Sequence, residues 1–235
     1  RQTALRRELS LVANNIANAN TTSFKRELSI YGVAPTVAGP DAKLDFVIDH
    51  GASISFEPGS FKVTENDFDV AISGPGFFAV DDGTGIKYTR NGAFSRNGEG
   101  TLVTSSGYVV QPEIQIPDEA TSISVSSNGT VTITVPGQVG AQEVGQLTLA
   151  DFSNLTGLQP IGENFLVETE ASGAPILSNP LEQGFGKLVQ GALEGSNVNV
   201  VQELVDMIET QRAYEVSSKA ITSVDDMLRF ISNNL

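Results

Sequence analysis

Asn199-Val-Val-Gln-Glu-Leu204-Val-Asp-Met207-Ile208-Glu-Thr-Gln211-Arg212-Ala-Tyr214 opens the last segment of this chain, and its pattern decides the architecture. Val200, Leu204, Met207, Gln211, Tyr214, Ser218 and Ile221 alternate at spacings of 4 and 3, the heptad period of a helix that offers one seam to a partner. Val224, Leu228, Ile231 and Leu235 continue it after a one-residue phase adjustment. Asn199 is placed to cap the helix, with Gln202 at the reciprocal third position. Neither Gly nor Pro interrupts the stretch to the end, so at 1.5 Å per residue it predicts a rod about 54 Å long. A helix of that length needs a partner along most of it.

The other end of the chain supplies one. Leu5, Leu9, Val12, Ile16 and Ala19 recur at spacings of 4, 3, 4 and 3, the seam of a second amphipathic helix that ends near Asn20 to Ser23. Lys and Arg against Asp and Glu count 5 to 2 in residues 1–30, 6 to 19 in 31–190 and 3 to 7 in 191–235. The two ends are therefore opposite in sign, which favours their pairing. An isolated helix of about 20 residues is marginal in water, so the first helix is expected to be ordered only once a partner covers its stripe. The stripe is already under way at Leu5 and no initiator Met precedes it, so a few upstream residues are expected to be missing.

Between the helices the period changes to two. Phe68, Val70 and Ile72 alternate with Asp67, Asp69 and Ala71; Gly74-Pro75-Gly76 turns the chain; Phe78 and Val80 resume the alternation, as in short antiparallel strands. Ile123 to Val135 around Asn128-Gly129 reads as a hairpin whose turn takes two positive φ angles. Further strands are expected at residues 85–90, 102–104, 108–111, 146–152 and 164–168. Residues 31–64 and 170–190 have a weaker period and more Gly, Pro and Ser, and read as extended connectors with isolated strands. The expected class is α+β: residues 1–30 and 191–235 form a discontinuous helical coiled-coil domain, and residues 65–169 form an inserted antiparallel β domain.

Composition narrows the chemistry. The 235 residues carry a formal charge of −14, one His and no Cys or Trp. That balance repels nucleic acid and anionic membrane, and thiolate metal sites, disulfides and Cys nucleophiles are excluded. Only His50 could serve a Ser-His-Asp system, and at a strand end in Phe46-Val-Ile-Asp-His-Gly51 it reads as a solvent-facing residue. Asp67 with Asp69 reads as a solvated strand edge, Asp81-Asp82-Gly83 as turn chemistry. Gly74-Pro75-Gly76 lacks the Lys and Ser or Thr of a phosphate loop. No run of about 18 apolar residues is present for a membrane span. No catalytic, cofactor or metal site is expected.

The most specific segment is Ala13-Asn14-Asn15-Ile16-Ala17-Asn18-Ala19-Asn20-Thr21-Thr22-Ser23-Phe24-Lys25. Four Asn within seven positions are poor helix formers, so something else must reward them. Asn14 and Asn18, four apart on one face, are placed for amide bridges to a second helix. This stretch resembles the N-terminal signature of flagellar axial proteins, the rod and hook family, with Ser23 where that family usually has a Gly suited to a left-handed turn. Residues 188–204 and Met207 to Glu215 are similar to the family's C-terminal signature. Asp69 to Phe78 and Tyr88-Thr-Arg-Asn-Gly-Ala-Phe94 are similar to its β-domain core.

Together these stretches span nearly the whole chain in the family's order. Within the family the start is most similar to the proximal-rod members, and the C-terminal signature is also close to the distal-rod members. The resemblance implies a non-enzymatic structural subunit of the basal-body rod, the shaft that crosses the periplasm and carries torque from motor to hook. It implies export without a cleaved signal peptide through the flagellar type III apparatus, and polymerisation with copies of itself and other rod proteins. The residues expected at the assembly interface are Leu5, Leu9, Val12, Asn14, Asn15, Ile16 and Asn18 at one end, and Asn197, Asn199, Leu204, Met207, Ile208, Gln211, Arg212, Tyr214, Ile221, Leu228 and Ile231 at the other. A secreted β-rich carbohydrate-active enzyme and a phage-tail or adhesin binding module are the rival readings. The enzyme would need a carboxylate pair in a cleft.

Overall fold

A computed structural model of the chain describes residues 2–39, 42–138 and 140–233, with the backbone alone at 33–39, 42–50, 221, 224–226, 228 and 230–233. The fold is α+β, with two α-helices and many strands among the described residues. It divides into two compact units, one made of Arg1–Asn20, Arg26–Ser55 and Val198–Leu235, the other of Thr21–Lys25 and Phe56–Asn197.

In the first unit helix α1 (Gln2–Ala17) packs against helix α2 (Val200–Asn233), and strands β1 (Glu27–Gly39) and β2 (Ala42–Ile54) pair antiparallel as an isolated two-stranded ribbon. Asn199 caps α2 as expected: its side-chain oxygen accepts from the backbone N–H groups of Val201 (3.1 Å) and Gln202 (3.3 Å). Those donors have no partner inside the helix, so the amide completes them.

The ribbon occupies most of the stretch expected to be an extended connector. Its alternation is hidden in the sequence by a register shift between Ile30 and Tyr31, since an extra residue in one strand moves the following side chains to the opposite face. Small residues such as Gly32, Ala34 and Gly39 dilute the pattern further. His50 lies in β2, where only the backbone is described.

The second unit holds sixteen short strands: β3 (Phe61–Val63), β4 (Val70–Ser73), β5 (Phe78–Asp81), β6 (Ile86–Thr89), β7 (Phe94–Arg96), β8 (Leu102–Thr104), β9 (Val109–Gln111), β10 (Ser122–Val125), β11 (Thr130–Thr134), β12 (Gln142–Gln146), β13 (Leu149–Asp151), β14 (Gln159–Gly162), β15 (Phe165–Val167), β16 (Ile176–Ser178), β17 (Lys187–Gln190) and β18 (Ala192–Glu194). Seven of them form one sheet in the order β14-β15-β6-β5-β9-β8-β7, and β10-β11-β12 form another. The pairs β13-β16, β17-β4 and β18-β3 complete the unit, and all the pairings are antiparallel. Their core includes Ile72, Phe78, Val80, Val110, Ile114, Ile133, Leu147 and Leu149. Each large apolar side chain removed from water contributes roughly 1.5 to 3 kcal/mol, which is how strands of three to five residues hold together.

The structure corrects several expectations. Residues 170–190 contribute strands β16 and β17, and Leu188 is buried in the core; the segment is part of the β unit because β17 pairs with β4. Strand β4 is covered on both faces; of the two acids before it, Asp67 is exposed as expected and Asp69 is not. Asp69 is buried beside the Asn66 amide (3.1 Å). At the β10–β11 hairpin Gly129 is left-handed (φ +92) and Asn128 is not. The loop closes through Gly129 N–H to the Ser126 carbonyl (2.9 Å) and Ser126 N–H to the Thr130 carbonyl (2.9 Å), the longer turn with a single left-handed residue. Asp82 does close a turn, accepting from the Thr84 hydroxyl (2.7 Å). The Lys87 ammonium first, then Thr84, holds its carboxyl well below the usual range.

Candidate functional site

Helix α2 has two faces of opposite character. One carries Glu203, Met207, Thr210, Tyr214 and Ser217, again at spacings of 4, 3, 4 and 3. Glu203 (0% exposed) and Thr210 (5%) are buried, and the other three are half-buried. The other face carries Val201, Leu204, Val205 and Ile208, which are 72%, 46%, 44% and 50% exposed. The seam expected from apolar spacing is therefore buried only in part: Met207 and Tyr214 lie on the inward face, Val200, Leu204 and Gln211 on the exposed one. The helix turns a mostly polar stripe inward and an apolar stripe outward, as its hydrogen bonds with α1 and with Arg26, just before β1, require.

Those hydrogen bonds meet at Asn15. This residue is 1% exposed; its amide nitrogen donates to the Glu27 carbonyl (2.9 Å) and to Glu203 Oε2 (3.2 Å), and its oxygen accepts from the Glu27 N–H (2.9 Å). The Arg26 guanidinium pairs with Glu203 Oε1 and donates to Asp206 Oδ2 (3.0 Å). Near the other end of α1, Arg6 Nη2 donates to the Tyr214 hydroxyl (2.9 Å), and the guanidinium lies 5.6 Å from the centre of that ring. One Asn of the Asn-rich stretch thus joins helix, helix and ribbon. Within α1's exit, the Asn18 amide also donates to the Asn14 side-chain oxygen (3.0 Å).

Of the residues expected at an interface, Val12 and Asn15 are buried within the unit. Leu5, Leu9, Ile16, Asn18, Met207 and Tyr214 are half-buried, and Asn14, Leu204, Ile208, Gln211 and Arg212 are exposed. Asn199 is the helix cap. Asn197 belongs to the β unit, where its amide donates to the Glu57 carbonyl (2.9 Å). The side chains of Ile221, Leu228 and Ile231 lie outside the described residues.

The β unit contains a second polar centre that spacing did not reveal. The Glu194 side chain is 0% exposed and accepts from Lys25 Nζ (2.6 Å), Arg90 Nε (2.6 Å) and the Gly59 N–H (3.0 Å). Arg90 spends its remaining donors on backbone carbonyls: Gly74 (3.1 Å), Gly76 (2.8 Å) and Ile72 (3.0 Å). The Gly74-Pro75-Gly76 turn is thus a cradle for a guanidinium. Lys25 also donates to the Glu57 carbonyl (2.8 Å).

Two cations share one carboxylate, which sets the titration of both partners. Burial alone would raise the Glu194 carboxyl, but Arg90 and Lys25 outweigh it and hold it below the usual carboxylate range. Burial lowers the Lys25 ammonium, and the attraction of Glu194 offsets only part of that. Ser23 adds a third link. It takes the left-handed conformation (φ +57) at 3% exposure, its N–H donating to the Glu194 carbonyl (2.8 Å) and its hydroxyl to the Arg90 carbonyl (2.9 Å). Lys25, Arg90 and Glu194 come from the three separate stretches that carry the family resemblance.

A cleft of about 680 Å³ in the β unit is lined by Phe56, Phe77, Phe152 and Arg90, and its single lining carboxylate is Asp151. A glycosidase needs two carboxylates flanking the scissile bond. Among the described residues no group of three His, Cys, Asp or Glu side chains is placed to hold a metal ion, and no helix is long and apolar enough to cross a membrane.

Comparison with known proteins agrees with this arrangement. Residues 1–25 match the flagella basal body rod protein model, 71–133 the flagellar hook protein FlgE/F/G D1 domain, and 189–235 the flagellar basal body rod FlgEFG protein C-terminal model. The chain is 41% identical to the flagellar basal-body rod protein FlgG of Buchnera aphidicola subsp. Schizaphis graminum, over 95% of this chain and 92% of that protein. It is 36% identical to FlgG of Bacillus subtilis over 96% and 92%, and 39% identical to the rod protein FlgF of Caulobacter vibrioides over 97% and 92%. Similarity of this extent, with the matched segments meeting in both polar centres, places the chain in the flagellar basal-body rod protein family, as a structural subunit of the rod.

Proposed function

We propose that this subunit polymerises into the periplasm-crossing shaft through the outward apolar face of α2, with helices of neighbouring copies packing on it as a coiled coil. The observation that carries this reading is the exposed stripe Val201, Leu204, Val205 and Ile208 on a helix whose opposite face is already occupied within the chain. A contiguous exposed apolar stripe is costly in water and marks an interaction surface. Two different faces offered to successive copies build an open helical array, as a shaft requires. Torque then passes between copies that share no covalent link. Other rod proteins with the same terminal signatures are the natural neighbours at the ends of such an array.

The subunit is read as FlgG-type. Relatives named FlgG at 41% and 43% identity match at least as well as the FlgF relative at 39%, which outweighs the proximal-rod preference drawn from the first residues. Export through the flagellar type III apparatus without a cleaved signal peptide, and a role without catalysis, belong to the same reading. Its test is Leu204→Asp with Ile208→Asp in the chromosomal copy. Rods should fail to assemble and motility should be lost, while the purified variant keeps the circular dichroism and urea midpoint of the β unit. Normal filaments and swimming in that strain would refute the assignment of this face.

A further inference from the structure

Two helices joined along a seam can pair in several registers, offset by one or more turns. Apolar seams are poor at choosing among them, because burial is non-directional and tolerates slips along the helix. The buried polar groups between α1 and α2 are directional. Asn15 and Glu203 are 1% and 0% exposed, and each reaches groups on more than one element. Asn15 binds both backbone groups of Glu27 and one oxygen of Glu203, while the other oxygen of Glu203 binds Arg26.

We infer that Asn15 and Glu203 set the register of the α1–α2 pair, holding the two helices at a single offset. A slip of α2 by one heptad brings Thr210 to the position of Glu203, and the opposite slip brings Ser196, which precedes the helix. Neither residue supplies a carboxylate for Arg26 and Asn15; one short neutral hydroxyl replaces two charged oxygens, and the stronger charge-assisted bonds are lost. Asn15 is tied to Glu27, and Arg26 lies beside it in sequence, so α1, the start of β1 and Glu203 are fixed together.

The inference concerns contacts within one chain, so its test uses dilute monomer and does not require a polymer. The chain has no cysteine, so Arg6→Cys with Tyr214→Cys places a pair where the two helices meet in the native register. A short bismaleimide should join that pair within one chain. Adding Glu203→Leu, which exchanges the directional contact for an apolar one, should lower the intrachain product roughly tenfold or more. Adding Glu203→Gln, which keeps one acceptor but turns an NH2 group toward Arg26 or Asn15, should give an intermediate yield. If Glu203→Leu loses its helix signal in circular dichroism, the paired change Arg26→Leu with Glu203→Leu is read in its place, since a matched apolar replacement of a buried ion pair is often neutral for stability. Intrachain yield equal to that of the parent in the folded Leu variant would overturn the assignment. That result would leave the outward face and its Asp test untouched.

Discussion

Replacing Glu194 by Gln removes one negative charge and little volume from the β unit. The cluster of Lys25, Arg90 and Glu194 carries a net charge of +1 with the carboxylate present, and about +2 without it. Gln offers one acceptor where Glu194 offers two oxygens, and its NH2 group faces a donor from Arg90 or Lys25. Breaking a buried ion pair by removing one partner costs about 3 to 5 kcal/mol, which is roughly two to three and a half orders of magnitude in the folding equilibrium at 1.4 kcal/mol per decade. Against a typical domain stability of about 5 to 15 kcal/mol this is a large loss.

Urea unfolding of the full chain, with hydrogen exchange at the amides of β4 and β5, measures it. Adding Lys25→Met to Glu194→Gln returns the net charge to its original value, so the double variant should recover part of the loss. The pH dependence gives an independent reading. Because the folded-state carboxyl of Glu194 lies below its unfolded value, the stabilisation is complete above the ordinary Glu range near pH ~4.3 and is lost as pH falls through the depressed folded value. The acid limb of the wild-type stability curve should therefore flatten in Glu194→Gln. A single-variant loss under about 1 kcal/mol, or strictly additive losses in the double variant, would refute the view that the three charges act as one centre.

Two further changes test the backbone around that centre. Ser23→Ala keeps the left-handed conformation and removes the hydroxyl from the Arg90 carbonyl, so it should destabilise the β unit by about 1 to 3 kcal/mol; Ser23→Gly also loses the hydroxyl but relieves the left-handed penalty, and should stay within about 1 kcal/mol of wild type in the same urea assay. Gly92→Ala would place a methyl group 1.7 Å from the Val70 carbonyl oxygen and push β4 off its partner, so its thermal unfolding midpoint should drop by several degrees or more.

Much of this was legible in the residues, and the gaps have physical causes. Heptad spacing located both helices, and Asn199 was identifiable as a cap because a cap depends on local chemistry alone. The rotation of α2 about its axis was not legible, since Glu203, Met207, Thr210 and Tyr214 keep the same period as Val200, Leu204, Met207 and Gln211. Period counts apolar residues, and here the inward face is held by a carboxylate and an amide. The ribbon β1–β2 was missed because a register shift at Ile30 breaks the alternation on which strand recognition depends. The ionic centre was missed because Lys25, Arg90 and Glu194 are 65 and 104 residues apart along the chain, and nothing local marks a charge that will be buried. Ser23 departs from the Gly usual in the motif, yet the structure holds it in the left-handed conformation that such a Gly would take.

The division of α2 into an inward polar face and an outward apolar one also gives the molecule two different temperature responses. Apolar association weakens on cooling, since near room temperature it is driven by the release of ordered water. Hydrogen bonds and ion pairs such as those of Asn15, Arg26 and Glu203 do not share that dependence. Chilling should loosen one copy from the next before it loosens the helices within a copy, so that a shaft taken apart in the cold would yield subunits ready to join again on warming.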